Sequence, residues 1–170
     1  MGFRQLCVSV VLSSLAFGVG TVSSRCAAAE TEIAPGEIQG KSFRLERAYL
    51  VVVHAPIADV AKVLKSVAAA VGLEYGKYDQ VAYTDAVGLE QFRPIDGSKA
   101  GPQKQLSRQA TKVVSFSVPH DDAVLQKALE AVYAAHTYEE PVIYVSEVWR
   151  TRSTNPDEQN PNRWWNQKPK

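Results

Sequence analysis

Apolar positions change period several times along this chain, and each change marks an element. Ala48 to Val53 (AYLVVV) is an unbroken apolar run, the pattern of a strand buried on both faces. Pro56 follows and suits a first helical turn. Ile57, Val60, Ala61, Leu64, Val67, Ala68 and Val71 then recur at helical spacing, which predicts a helix with one apolar stripe, ended by Gly72. Lys77–Thr84 and Leu89–Arg93 read as two short strands around a turn at Asp85–Gly88. Residues 94–107 are rich in Gly and Pro and read as a loop.

The second half repeats this grammar. Thr111 to Val118 predicts a strand with Val114, Phe116 and Val118 on one face. Pro119 follows it, and Asp121 and Asp122 stand where a helix N-terminus favours negative charge. Val124, Leu125, Ala128, Val132 and Ala135 form the apolar stripe of that helix, and Val142 to Trp149 is the last strand. With Leu89–Arg93 taken as an extension of the hairpin, the order is β-α-β-β-α-β. Two such halves make an α+β fold, the ferredoxin-like sandwich: an antiparallel sheet with both helices on one face.

The flanks differ in composition. Arg4, an apolar stretch from Leu6 to Val22 and Ala27–Ala29 are the parts of a signal peptide over residues 1–29, and the first acidic residue is Glu30. The reading is a secreted or periplasmic protein, with a mitochondrial leader as the alternative. Ser9, Ser13, Ser14, Gly18 and Gly20 interrupt the stretch and weaken it as a membrane span, so no membrane segment is expected in the mature chain. Removing residues 1–29 takes both cysteines, Cys7 and Cys26, so thiolate chemistry is not expected. Residues 30–44 read as a linker and 151–170 as a polar tail, with the compact domain over 45–150.

Composition changes this picture little. The 170 residues suit one domain, and 45% hydrophobic with 22% charged residues is ordinary for a globular protein. A net charge of +1 gives no field that would gather nucleic acid. No G-x-S-x-G, P-loop or dinucleotide glycine pattern is present.

The densest polar phrase is His136-Thr137-Tyr138-Glu139-Glu140-Pro141, between the second helix and the last strand. Spacing alone supports a structural role. His136 complements the helix dipole, and Tyr138 packs its ring while keeping its hydroxyl wet. Glu139 and Glu140 are solvated or pair with an arginine, Arg93 among them. His136 and His120 stand a whole helix apart, about 24 Å, so one ion cannot take both from a single chain. His54 and His120 are expected near one end of the sheet.

The run A-H-x-Y-E-E-P-x-x-Y-V, from Ala135 to Val145, resembles the A-H-P-Y-E-E-P-x-Y-D-V signature of the YqfO-type, NGG-interacting-factor-three-like family, and more specifically its small inserted domain. Gly76-Lys77-Tyr78-Asp79, followed by Gln91-Phe92-Arg93-Pro94-Ile95-Asp96-Gly97, resembles that domain's G-x-Y-x…G-x-F-R-P-x-x-G segment. The likeness covers about Ala48 to Trp149. Thr137 stands where the family has proline, and Tyr144 comes one position late. The resemblance implies a fold similar to CutA and PII proteins, which assemble as trimers through their sheets. The family's larger two-metal domain is not expected within this length.

The expected function is therefore non-catalytic binding and assembly. A homo-oligomer, a trimer first, would hold a small ligand or metal ion at subunit clefts near the His136–Pro141 turn. The expected ligand contacts are His136, Tyr138, Glu139, Glu140, Arg93 and Tyr78, with His136 and Glu139 as metal ligands. One alternative is a divalent-metal binder of CutA-like role. Another is an enzyme using His136 with Glu139 or Glu140 for acid–base work. Trp164 and Trp165, odd in so polar a tail, are expected to bury surface on the domain, a neighbouring subunit or a partner.

Overall fold

The structure is a computed structural model that describes residues 38–154 and 159–167. The expected signal peptide and most of the expected linker lie outside the described residues. Six main elements follow in order: β1 Phe43–Pro56, α1 Val60–Val71, β2 Tyr83–Phe92, β3 Ser107–Pro119, α2 Asp122–Ala135 and β4 Ile143–Ser153. The strands form one sheet in the order β2-β3-β1-β4, with every neighbouring pair antiparallel. This is the ferredoxin-like sandwich that the sequence predicts.

The core lies between one face of the sheet and the helices. Tyr49, Val51 and Val53 of β1 face Val118, Phe116 and Val114 of β3, and all six meet Val63 and Val67 of α1 and Ala128 and Val132 of α2. Each valine here that is wholly removed from water contributes about 2 kcal/mol of hydrophobic stabilisation. The alternation along β1 departs from the sequence reading. Val51 and Val53 are fully buried, whereas Leu50 before them and Val52 between them are only half covered. Side chains alternate across a strand. One face of the AYLVVV run therefore meets the helices, while the other forms the outer face of the sheet.

Three local readings are corrected. Pro56 ends β1 rather than starting a helix, Ile57 is exposed, and α1 begins at Val60 after a turn closed by Asp59 N–H to the Pro56 carbonyl, 2.8 Å. Residues 77–82 precede β2 and are not a strand. Asp85–Gly88 is no hairpin turn but an irregularity within β2 between Thr84 and Val87. A tight hairpin of the expected kind needs backbone at positive φ, and Gly88 does not have it. The real β2–β3 connection is residues 93–106, where Gly97 and Gly101 supply φ values of 92° and 69°. β4 also runs to Ser153, three residues into the expected tail.

The four strands are staggered. Phe43–Arg47 pair with β4 and not with β3, which ends opposite Ala48, and Arg44 also bridges to Gln39. Leu89–Phe92 pair with β3 beyond the end of β1. Two-stranded ribbons thus project from opposite ends of the sheet. No helix among the described residues is long and apolar enough to cross a membrane.

Candidate functional site

The His136–Pro141 turn is held by a set of bonds that join α2, β1 and the start of α1. His136 caps α2, its N–H bonding the Val132 carbonyl at 2.9 Å. Its ring is buried. Nδ1 accepts the Tyr138 N–H at 3.0 Å, which leaves Nε2–H to donate to the His54 carbonyl at 2.9 Å. Both ring nitrogens are thereby engaged.

Asp59, at the N-cap of α1 and only 2% exposed, makes no side-chain capping bond to the backbone of its own helix. Its Oδ2 accepts the Thr137 N–H at 3.0 Å and the Thr137 hydroxyl at 2.5 Å, and its Oδ1 meets Lys62 Nζ at 2.7 Å. Burial pushes this carboxyl upward, but the Lys62 and Thr137 bonds outweigh it and hold the pKa below the usual value. A proline at 137 could make neither Thr137 bond, so the departure from the family's motif has a structural use.

Tyr138 continues the turn and packs between α2's end and β2. Its ring meets His136 edge-on at 5.0 Å and Phe92 at 5.5 Å. Contrary to the expectation of a wet hydroxyl, its oxygen is buried without a hydrogen-bond partner. Burial, then the negative charges of Glu90 and Asp59, raise its pKa above the ordinary tyrosine value.

A cleft opens on the outer face of the sheet at the C-terminal end of β1. It encloses about 450 Å³ among His54, Gly88, Glu90, Thr111, Val142 and Tyr144. The pairings His54↔Val113, Gly88↔Thr111 and Val52↔Tyr144 bring these residues together from all four strands and the approach to β4. His54 Nδ1 lies 3.5 Å from Glu90 Oε1, and Tyr144 meets the His54 ring edge-on at 5.9 Å. Glu90 Oε2 is buried without a partner. A carboxylate oxygen and a phenol hydroxyl are thus left unanswered in one neighbourhood, which suits a ligand bearing N–H or O–H groups.

Of the residues expected from sequence, His136, Tyr138 and Glu139 lie in this region. Glu139 Oε2 accepts the Lys99 N–H at 3.0 Å and ties the β2–β3 loop to the turn, while Glu140 is exposed. Arg93 is exposed and makes no ion pair with either glutamate among the described residues. Tyr78 is 62% exposed and sits with Tyr75, whose hydroxyl reaches Thr151 at 3.2 Å, at the opposite end of the sheet. Sequence reasoning did not reach Glu90, Thr111 or Tyr144 as site residues, because only strand register assembles them.

The histidine placement is also corrected. His54 neighbours His136, whereas His120 lies at the far end of β1, stacked on Tyr49 at 4.5 Å with its Nε2 3.2 Å from Glu147 Oε2. Antiparallel pairing sets the end of β3 beside the first half of β1, which parts His120 from His54. Among the described residues no group of three or more His, Cys, Asp or Glu is placed to hold a metal ion. Both ring nitrogens of His136, the expected metal ligand, are taken up by hydrogen bonds.

Fold and cleft together define a ferredoxin-like domain with a pocket of mixed polar and apolar lining on its outer sheet face. No family model and no curated protein matches the chain. Solved structures do. A Bacillus cereus protein related to NIF3 aligns at a TM-score of 0.52 and 25% identity, over 61% of this chain and 26% of its own length. CutA1 from Ehrlichia chaffeensis, described as a divalent ion tolerance protein, aligns at 0.45 and 12% identity, over 67% of this chain and 88% of its own. CutA1 from Oryza sativa aligns at 0.43 and 12%, over 61% and 81%. The chain resembles the NIF3-related protein in fold and spans about a quarter of its length.

Proposed function

We propose that this chain is a secreted or periplasmic, non-catalytic binding and assembly domain. It works as a homo-oligomer, a trimer first, and holds a small ligand at a cleft by the His136–Pro141 turn. One observation carries the reading: the outer face of the sheet is more apolar than a sandwich with helices on one side requires. Leu50, Val52, Val113 and Val148 sit there half covered, with Tyr83 and Tyr144 exposed beside them. Such a surface gains free energy by meeting another.

The cleft opens on that same face, so a second copy seated there would complete its walls. Glu90 Oε2 and the Tyr138 hydroxyl are the groups a ligand would satisfy. His136 orients the turn and has no ring nitrogen left to move a proton, which favours binding over acid–base catalysis. The deciding experiment is a native mass spectrum of residues 30–170 purified without chelator. A trimer with added small-molecule mass is expected. A clean monomer with no added mass would overturn the reading.

A further inference from the structure

At the other end of the outer face, β1 and β4 assemble a group that the proposed cleft does not use. The register sets Glu46 opposite Arg150 and Arg44 opposite Arg152, so Glu46, Arg150 and Arg152 project from the same face. Glu46 Oε1 accepts both Arg150 Nε at 2.7 Å and Arg152 Nε at 2.6 Å. Burial tends to raise the Glu46 pKa, but the two arginines prevail and keep it below the ordinary value, so the carboxyl stays ionised near neutrality.

Among the described residues one carboxylate therefore serves two guanidiniums, and a positive charge is left over. The Arg150 side chain is 6% exposed and that of Arg152 17%, so the surplus is largely withdrawn from water. A withdrawn charge without a counter-charge is costly. Arg150 spends Nη1 on the Ser117 hydroxyl at 2.9 Å and the Ser117 carbonyl at 3.3 Å. Arg152 Nη1 is buried and has no hydrogen-bond partner among the described residues. The Tyr75 ring walls the group, 4.8 Å from the Arg152 guanidinium carbon and 5.6 Å from that of Arg150. The Tyr75 and Thr151 hydroxyls, 3.2 Å apart, stand at its margin.

We infer that Arg150 and Arg152 form a binding site for an oxyanion, a carboxylate or phosphate group that takes the guanidinium donors Glu46 leaves unused. The chemistry follows from the donors: planar forks of N–H groups match two oxygens of one anion, and a surplus charge gives the contact its strength. Ser117 and Glu46 hold Arg150 rigid, so little side-chain freedom is lost on binding. The oxyanion is either a free small molecule or a carboxylate side chain of a second copy of this chain, and the two sources separate experimentally.

The test titrates inorganic phosphate into the full mature chain at fixed ionic strength, by calorimetry and by sedimentation. Saturable binding of one phosphate per chain, with no change of assembly, identifies a free anion. An assembly that phosphate dissociates identifies a carboxylate of a second copy. In either case Arg152→Gln weakens the effect by about tenfold or more, Arg152→Lys also weakens it because the fork is lost, and the exposed Arg108→Gln leaves it unchanged. Circular dichroism establishes that each variant is folded. Two results would overturn the inference. One is the absence of both saturable binding and dissociation; the other is phosphate binding that persists undiminished in folded Arg152→Gln.

Discussion

The two ends of the outer sheet face carry opposite imbalances. By His54, a carboxylate oxygen of Glu90 and the hydroxyl of Tyr138 lack partners. By Glu46, about 27 Å away along β1, guanidinium nitrogens outnumber their acceptors. The ends are also built differently. The cleft end depends on a turn pinned through backbone groups of Thr137, Tyr138 and His54. The arginine end depends on three side chains that share one pleat. The difference teaches where each is vulnerable: the first fails when its anchor goes, the second when its charge count changes.

The largest effect should come from removing the anchor. Asp59→Ala leaves the Thr137 N–H unanswered in a partly buried site and deprives Lys62 of its partner. The expected loss is about 3 kcal/mol in urea unfolding, together with weaker ligand retention at the cleft. Glu46→Ala breaks the other end by leaving two guanidiniums side by side. Because Glu46 is partly exposed, the expected loss is smaller, about 2 kcal/mol. A stability equal to wild type there would mean that the surplus charge is already neutralised.

Acid should weaken both ends together. Asp59 and Glu46 have folded pKa values below their ordinary 3.8 and 4.5. Each contributes stability that is present above those values and is lost as pH falls through its folded pKa. Urea midpoints measured from pH 6 downward should therefore fall as pH drops below about 4.5, and Asp59→Asn should flatten part of that fall.

The smallest effects sharpen the comparison. Thr137→Val keeps the backbone bond to Asp59 and loses the hydroxyl bond, which should cost about 1 kcal/mol. Tyr138→Phe removes a buried hydroxyl with no partner, so stability should stay within about 0.5 kcal/mol of wild type or rise. If the hydroxyl serves a ligand, cleft binding falls in this variant while the unfolding curve does not.

The sequence made the order of elements legible because periodicity is a local property. The stripes of α1 and α2 and the alternation in Thr111–Val118 can be read from neighbours within a few positions. Register is not local. Nothing near Glu90 in the chain indicates that it faces His54, and nothing near Tyr78 indicates that it sits beside the wrong end of the sheet. The His136 phrase was visible as a dense polar cluster, but its use was not. Its anchor, Asp59, lies 78 residues away and looks in sequence like an ordinary helix cap. The AYLVVV run misled in an instructive way: it reads as buried on both faces, and the described chain covers only one.

The staggered strands have a consequence for symmetry. β2 and β4 are the two edges of the sheet, and among the described residues each has a strand neighbour on one side only. The two edges are unlike, since β2 carries an irregularity at Thr84–Val87 and β4 pairs in even register along β1. A contact joining β2 of one copy to β4 of the next would be heterologous, with no twofold axis to end it. The rotation set by the twist between successive sheets would then decide between two outcomes. A rotation that divides evenly into a full circle closes a ring, and any other carries the edge onward as a filament.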